Sequence, residues 1–202
     1  MSSNSLEELV QALACLPGVG RKSAQRMALY LLERDQPGAR RIADALQSAL
    51  QQVRHCRRCR NFSDDDLCDV CANSERDQAA ICVVESPADV IAVESSAAFN
   101  GRYFVLMGKL SPLDGYGPEE LGLDELEKQL DEGGVRELIL ATSATVEGDI
   151  TAQYIADFAD RRGVASSRLA RGIPLGGELE FVDSGTLSRA LQGRQQIDTS
   201  GQ

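Results

Sequence analysis

Four cysteines in the first half of the chain have the spacing of a metal site. Cys56 and Cys59 form one Cys-x-x-Cys pair, and Cys68 and Cys71 form a second pair after a gap of eight residues. Four thiolates at this spacing can bind one Zn²⁺ in a closed tetrahedral site. We predict a structural zinc, because the short polar gap cannot bury a core of its own. Two disulfides or a redox pair are the alternative, which a chain without export features disfavours.

The remaining cysteines and the only histidine lie outside this pattern. Cys15 and Cys82 each belong to an apolar run, so both are predicted to be small buried hydrophobic residues. His55 precedes Cys56 and could replace a thiolate. With four cysteines already at metal spacing, we expect His55 to be a solvated or helix-terminal histidine instead.

Three carboxylates are candidates for a second site. Glu85 ends the apolar run 80–85, and Glu147 and Asp149 flank a glycine after a later apolar run, 137–142. If both runs are parallel strands, their carboxyl ends meet at one edge of the sheet. Carboxylates that converge there would suit Mg²⁺. The alternative is that Glu147 and Asp149 complement the dipole of the helix that follows them.

A glycine-bracketed turn near the N-terminus is a candidate phosphate-binding element. Gly18 and Gly20 precede a helix that carries Arg21, Lys22 and Arg26. Glycines allow a close approach of the backbone, and the free N–H groups of a helix start attract anions. Such contacts hold a sugar-phosphate backbone without reading its sequence. An ordinary αα-hairpin is the alternative; a dinucleotide fingerprint is disfavoured, since no strand precedes the glycines.

Charge divides the chain into a basic head and an acidic body. The net charge of the 202 residues is −10, but residues 1–60 carry ten Lys/Arg against five Asp/Glu, and residues 61–202 carry eleven against twenty-six. The head at +5 can meet a polyanion, whereas the body at −15 favours cations or basic partners. We expect no signal peptide, because the N-terminus has neither a basic region nor an apolar run. We also expect no membrane contact and a cytoplasmic location, because no apolar run in the sequence approaches the roughly 20 residues that a membrane helix needs.

The elements that must position these residues follow two patterns. The head has helical periodicity, with a capping box at Ser5 and Glu8, a first helix that ends at Pro17, and a third helix over 39–53. The body alternates apolar strands with helices, which predicts a parallel sheet covered on both faces. Its predicted strands are 80–85, 103–107 and 137–142, with helices through Val93, from Leu123 to Leu130 and from Thr151 to Phe158. A short strand within 172–181, a last helix over 182–191 and a polar tail complete the chain.

The order of these motifs resembles the bacterial recombination mediator family RecR. The resemblance rests on the segments 16–26, 81–85, 110–115, 145–148 and 176–179 together with the four-cysteine module. It implies a multidomain α/β fold with a helix-hairpin-helix head (1–54), a zinc finger (55–78), a Toprim domain (79–171) and a C-terminal oligomerisation arm (172–202). Glu85 matches the Toprim glutamate, and Glu147-x-Asp149 stands where catalytic Toprim enzymes carry Asp-x-Asp.

The resemblance also implies a function without catalysis. It predicts a DNA-binding clamp, a dimer or a tetrameric ring, that works with RecO and RecF to load RecA onto single-stranded DNA coated by SSB. The positions of Gly18, Gly20, Arg21, Lys22 and Arg26 match its DNA contacts. The three acids are then expected to dock RecO, with weak Mg²⁺ occupancy as a further expectation. A Mg²⁺-dependent Toprim nuclease that uses Glu85, Glu147 and Asp149 is the alternative. A nucleotide-hydrolysis site is not expected, because the loop after Gly108 is not a Walker A motif: Leu110 follows Lys109 where Ser or Thr is required.

Overall fold

The computed structural model describes residues 4–174 and 176–194 and contains two compact units, Met1–Arg54 and His55–Gln202. Most of the predicted polar tail, from residue 195 onward, lies outside the described residues. None of the helices in the described part of the chain is long and apolar enough to span a bilayer.

The N-terminal unit consists of three helices. They are α1 (Asn4–Ala14), α2 (Arg21–Glu33) and α3 (Gln36–Gln52). Val10 packs against Ala24 and Ala28, and the small alanines let α1 and α2 approach closely. This small core fixes the turn between the two helices, residues 15–20, which carries the candidate phosphate site.

Three local predictions for this unit were wrong. Ser5 lies inside α1 and does not cap it; Asn4 instead donates to Glu8 Oε1 at 2.7 Å. The third helix begins at Gln36, because Asp35 caps it by accepting from the Gly38 amide. Cys15 is exposed, since it follows the last residue of α1.

The C-terminal unit is built on a parallel sheet. A ribbon of β1 (Arg54–His55) and β2 (Phe62–Ser63) and the short helix α4 (Asp69–Ala72) precede it. The sheet strands are β3 (Asp77–Val84), β4 (Gly101–Val105), β5 (Glu137–Ala141) and β6 (Ala165–Arg168), in the order β4-β3-β5-β6. The remaining helices are α5 (Pro87–Ser95), α6 (Leu123–Asp131), α7 (Val146–Asp160) and α8 (Ser184–Gln192). All neighbouring strands pair in parallel, as predicted.

Apolar side chains cover both faces of this sheet, which confirms the α/β prediction. One face packs against α6 and α7 through residues such as Leu126 and Ile155, both fully buried. The opposite face packs against α5 through Val90, and buried Cys82 belongs to this layer as predicted. The strand ends near Glu85 are therefore fixed by two separate hydrophobic layers.

Two segments differ from the prediction. β6 was not predicted, because its sequence, Ala-Ser-Ser-Arg, is polar and it lies at the edge of the sheet. The strand expected within 172–181 is absent from the described residues there; a single 3₁₀ turn, Leu179–Phe181, precedes α8.

Candidate metal centre and nucleic-acid interface

The four predicted metal ligands come together in one buried cluster. The sulfur atoms of Cys56, Cys59, Cys68 and Cys71 all lie within 4.8 Å of one another, and Cys59 Sγ is 3.4 Å from Cys68 Sγ. Tetrahedral Zn–S bonds of about 2.3 Å place sulfur atoms roughly 3.8 Å apart, so the cluster fits a zinc ion. All four cysteines are free, as zinc ligation requires.

Local backbone geometry shapes each half of the cluster. The first pair sits in a tight turn, in which the Arg60 amide donates to Cys56 O at 2.8 Å and Arg60 adopts a φ of 64°. The second pair is positioned by α4, because Cys68 is its N-cap residue and Cys71 lies one turn later. Both knuckles therefore present two sulfurs from a short stretch of chain.

Ionisation of the thiols depends on a cation. The hydrogen bond from Cys59 to Cys68 raises the pKa of Cys59 and lowers the pKa of Cys68. Cys59 therefore keeps its proton and donates it in a hydrogen bond to the thiolate of Cys68. Four thiolates this close repel one another, and burial removes the water that would solvate them. Zn²⁺ supplies the missing positive charge, which makes metal binding part of the folding free energy of this module.

The zinc module is attached to the sheet through its backbone. The Val105 amide of edge strand β4 donates to Cys59 O at 2.8 Å, and Gln129 Nε2 donates to Arg58 O at 2.5 Å. An exposed sheet edge offers unpaired N–H and C=O groups to other chains. The first knuckle satisfies one of these groups and covers part of the edge.

Arg60 makes a second attachment that the sequence analysis missed. Its guanidinium donates to Leu121 O and to Glu120 O, and it lies 5.9 Å from the centroid of the Phe104 ring. Gly122, with a φ of 66°, leaves the space that the guanidinium occupies; a Cβ there would overlap it. Residues 60 and 122 are far apart in the sequence, and no sequence motif connects them. The contact between Arg60 and Gly122 therefore becomes visible only in the tertiary structure.

The turn before α2 is open to solvent at its glycines. Gly18 has a φ of 77°, which favours glycine, whereas Gly20 has an ordinary φ of −74° as the N-cap of α2. A Cβ added at Gly20 would meet nothing within 4 Å, so packing does not require a glycine there. The N-cap residue is a glycine, so it has no side chain that could cap the first N–H groups of α2. The helix start therefore presents free donors to an external anion.

The three basic residues of α2 differ in their surroundings. Arg21 Nη2 forms an ion pair with Glu7 Oε1 at 2.6 Å. The side chains of Lys22 and Arg26 have no hydrogen-bond or ion-pair partner among residues 4–174 and 176–194. Both line a shallow, open depression of about 450 Å³ along one face of α2, which we call the α2 groove. Lys22 and Arg26 are therefore the cations left available for a ligand.

Each Toprim-type carboxylate has its own partner. Glu85 Oε1 accepts from the amide and the hydroxyl of Ser143, both at 2.9 Å. Glu147 lies 3.7 Å from Lys109 Nζ. Asp149 pairs with two arginines, Arg171 at 2.7 Å and Arg168 at 3.1 Å.

These partners explain the electrostatics of the acids. The Arg171 hydrogen bond lowers the pKa of Asp149, and hydrogen bonds from its own amide and from Thr145 lower the pKa of Glu147. Both residues lie in the first turn of α7, as the helix-dipole alternative describes. Within the described residues the four cysteines form the only cluster of three or more potential metal ligands, and the three acids are not brought together as such a cluster.

Comparison with protein families defines the class. Four family models match successive parts of the chain: the RecR helix-hairpin-helix over residues 6–50, the RecR four-cysteine zinc finger domain over 53–73, a Toprim domain over 79–170 and the RecR C-terminal region over 172–195. The chain is thus a zinc-finger Toprim protein with a helix-hairpin-helix head.

Comparison with curated proteins defines the family. The chain is 54% identical over 193 residues to the recombination protein RecR of Alcanivorax borkumensis, covering 96% of both chains. It is 55% identical over 195 residues to the recombination protein RecR of Xanthomonas axonopodis pv. citri, covering 96% of this chain and 99% of that protein, and equally similar to that of Xanthomonas campestris pv. campestris. The chain belongs to the RecR family.

Proposed function

We propose that this protein is a non-enzymatic DNA-binding mediator of recombinational repair. It acts in the bacterial cytoplasm as an oligomeric clamp that, with RecO and RecF, helps to load RecA onto single-stranded DNA coated by SSB. Family membership supports the recombination role. The finer steps follow from the resemblance of its motifs to the family pattern.

The observation that carries the DNA-binding part is the open start of α2. The free N–H groups lie on the same helix as Lys22 and Arg26, whose side chains have no partner within the described part of the chain, and Gly20 leaves the approach clear. A phosphate can accept from the amides while the cations hold neighbouring phosphates. Contacts of this kind fix the path of a polynucleotide without selecting its sequence.

The acidic body supplies the partner surface in this proposal. Glu85, Glu147 and Asp149 are assigned to docking of RecO, and the arm from residue 172 onward to assembly of the oligomer. The first-turn positions of Glu147 and Asp149 leave both carboxylates partly exposed. A basic partner segment would compete with Lys109 and the two arginines for them.

Reconstitution tests the mediator role. We expect the protein, together with RecO, to increase the rate at which RecA assembles on SSB-coated single strands, and a variant with Lys22→Ala and Arg26→Ala to lose that effect. Solution mass with and without DNA and RecO reports the assembly. An unchanged RecA assembly rate in the presence of the protein and RecO contradicts the mediator assignment.

A Toprim nuclease is the second candidate, favoured by the position of Glu85 directly after β3. It predicts Mg²⁺-dependent cleavage of DNA or RNA that disappears with Glu85→Gln. A clamp predicts no turnover by either the parent protein or this variant. The ion pairs of Asp149 with Arg168 and Arg171 weigh against the nuclease, because Mg²⁺ would have to displace them.

A further inference from the structure

The groove along α2 contains an aromatic residue among its cations. Lys22, Arg26, Tyr30 and Arg34 are spaced four residues apart, and all four line the same groove of about 450 Å³. Steps of four residues advance about 6 Å along a helix and stay close to one face. The ridge therefore places the ring between Arg26 and Arg34, with Lys22 one turn before Arg26.

Tyr30 lies outside the hydrophobic core of its unit. It is the only aromatic residue among residues 1–54, and its side chain is 58% exposed. The core of this unit is formed by Val10, Ala24 and Ala28, without the ring. No hydrogen bond involves the Tyr30 hydroxyl in the described part of the chain. A large ring left in solvent beside three cations marks a recognition surface.

We propose that Tyr30 is a stacking platform for an unpaired nucleobase, and that the α2 groove is built for single-stranded DNA. This inference rests on the proposed DNA-binding function. Lys22 and Arg26 would hold successive phosphates, and the next base along the ridge would lie on the Tyr30 ring, one turn beyond Arg26. A positive groove with an aromatic platform is the general way in which proteins bind single strands without sequence preference. Bases inside a duplex are already stacked, so the ring adds affinity only for unpaired strands.

The charge of the groove selects this occupant over a second copy of the chain. Exposed Leu29 beside Tyr30 would also suit an apolar contact between copies. This face carries three cations against one carboxylate, which complements the continuous negative charge of a polynucleotide backbone. Glu33 is the one carboxylate of the groove, and it already pairs with Arg34 at 3.4 Å.

Binding of oligo(dT) and of a duplex of equal length, each measured by fluorescence anisotropy over a range of salt concentrations, tests the proposal. Tyr30→Leu keeps an apolar side chain but removes the ring, and we expect about 5-fold or more weaker binding of oligo(dT), the range that stacking of one base contributes. Duplex affinity and the slope of log affinity against log salt should stay unchanged, since no charge is lost. Tyr30→Phe should bind like the parent protein. Tyr116→Leu, at a second exposed tyrosine (46%), is the matched control and should have no effect.

The chain lacks tryptophan, so Tyr30→Trp adds a unique probe whose emission should be quenched by oligo(dT) and not by the duplex. Equal losses on both DNA forms, or no loss on either, overturn the stacking role. A lower solution mass of Tyr30→Leu assigns the ring to contact between copies and also overturns it. Failure of the DNA-binding head itself is distinguishable, because the parent protein would then show no salt-dependent binding to oligo(dT) or duplex.

Discussion

Replacement of Arg60 by methionine tests how the zinc finger is fixed to the Toprim domain. The Arg60 side chain is 18% exposed, donates to the carbonyls of Leu121 and Glu120, and packs over the ring of Phe104. Methionine keeps much of the apolar stem but removes both donors. Leu121 is fully buried, and in the methionine variant its carbonyl loses the hydrogen bond from Arg60.

The magnitude follows from these contacts. A hydrogen bond from a charged donor contributes about 1.5–3 kcal/mol, and a buried carbonyl without a partner carries a similar penalty. The Glu120 contact is exposed and rehydrates easily, and the ion pair with Glu125 at 3.8 Å is half exposed, so both add little. We therefore expect a loss of about 2–4 kcal/mol in the free energy of unfolding, and a Tm lower by about 5–15 °C.

Thermal and urea unfolding followed by circular dichroism measure this loss. Arg57→Met is the matched control, because Arg57 also belongs to the first knuckle but forms an ion pair with Asp66 in which its side chain is 69% exposed. It should cost less than about 1 kcal/mol. Zinc content should remain unchanged in both variants. Equal stabilities of the two variants would refute the idea that Arg60 joins the finger to the domain.

The remaining predictions concern the metal, the head and pH. Cys56→Ser should lower the zinc content from about one ion per chain, measured by elemental analysis, and destabilise the fold; full zinc retention would contradict the site. Gly20→Ser should raise the Tm or leave it unchanged, since serine caps helices well. The same variant should bind DNA more weakly, because the serine hydroxyl would accept from the α2 amides that are proposed to bind phosphate. Unchanged DNA affinity would contradict a role for those amides. The hydrogen bond from Arg76 lowers the pKa of Glu94 from its usual 4.5. The Arg76–Glu94 pair therefore stabilises the folded protein fully above pH 4.5, and this stabilisation is lost as the pH falls through the lowered pKa. Glu94→Gln should therefore flatten the fall of the urea midpoint in acid, and an unchanged acid profile would exclude this pair as its source.

Local spacing predicted the metal site and the sheet well. The two Cys-x-x-Cys pairs need only a turn and one helical turn to present their sulfurs, so their sequence separation carries the geometry. The strands 80–85 and 137–142 were predictable because buried parallel strands read as continuous apolar runs. β6 lies at the sheet edge and has a polar sequence, so it lacks the continuous apolar run by which a strand could be predicted.

The acids could not be predicted in the same way. Thr145 caps α7 by accepting from the Gly148 amide, so the helix begins at Val146 and includes both acids, whereas the apolar pattern indicated a start at Thr151. Their partners, Lys109 and Arg171, come from distant loops. Side-chain pairing across such separations depends on the whole fold and leaves no local pattern.

The central claim is that the head holds DNA phosphates through Lys22 and Arg26, and the salt dependence of binding tests it most directly. If about four phosphates are contacted, log affinity should fall against log salt with a slope of about −3 to −4. Lys22→Ala with Arg26→Ala should reduce the size of that slope by about 1.5, whereas Arg40→Ala with Arg41→Ala, two exposed arginines of α3, should change it less. An unchanged slope in the Lys22 and Arg26 double variant would contradict the account.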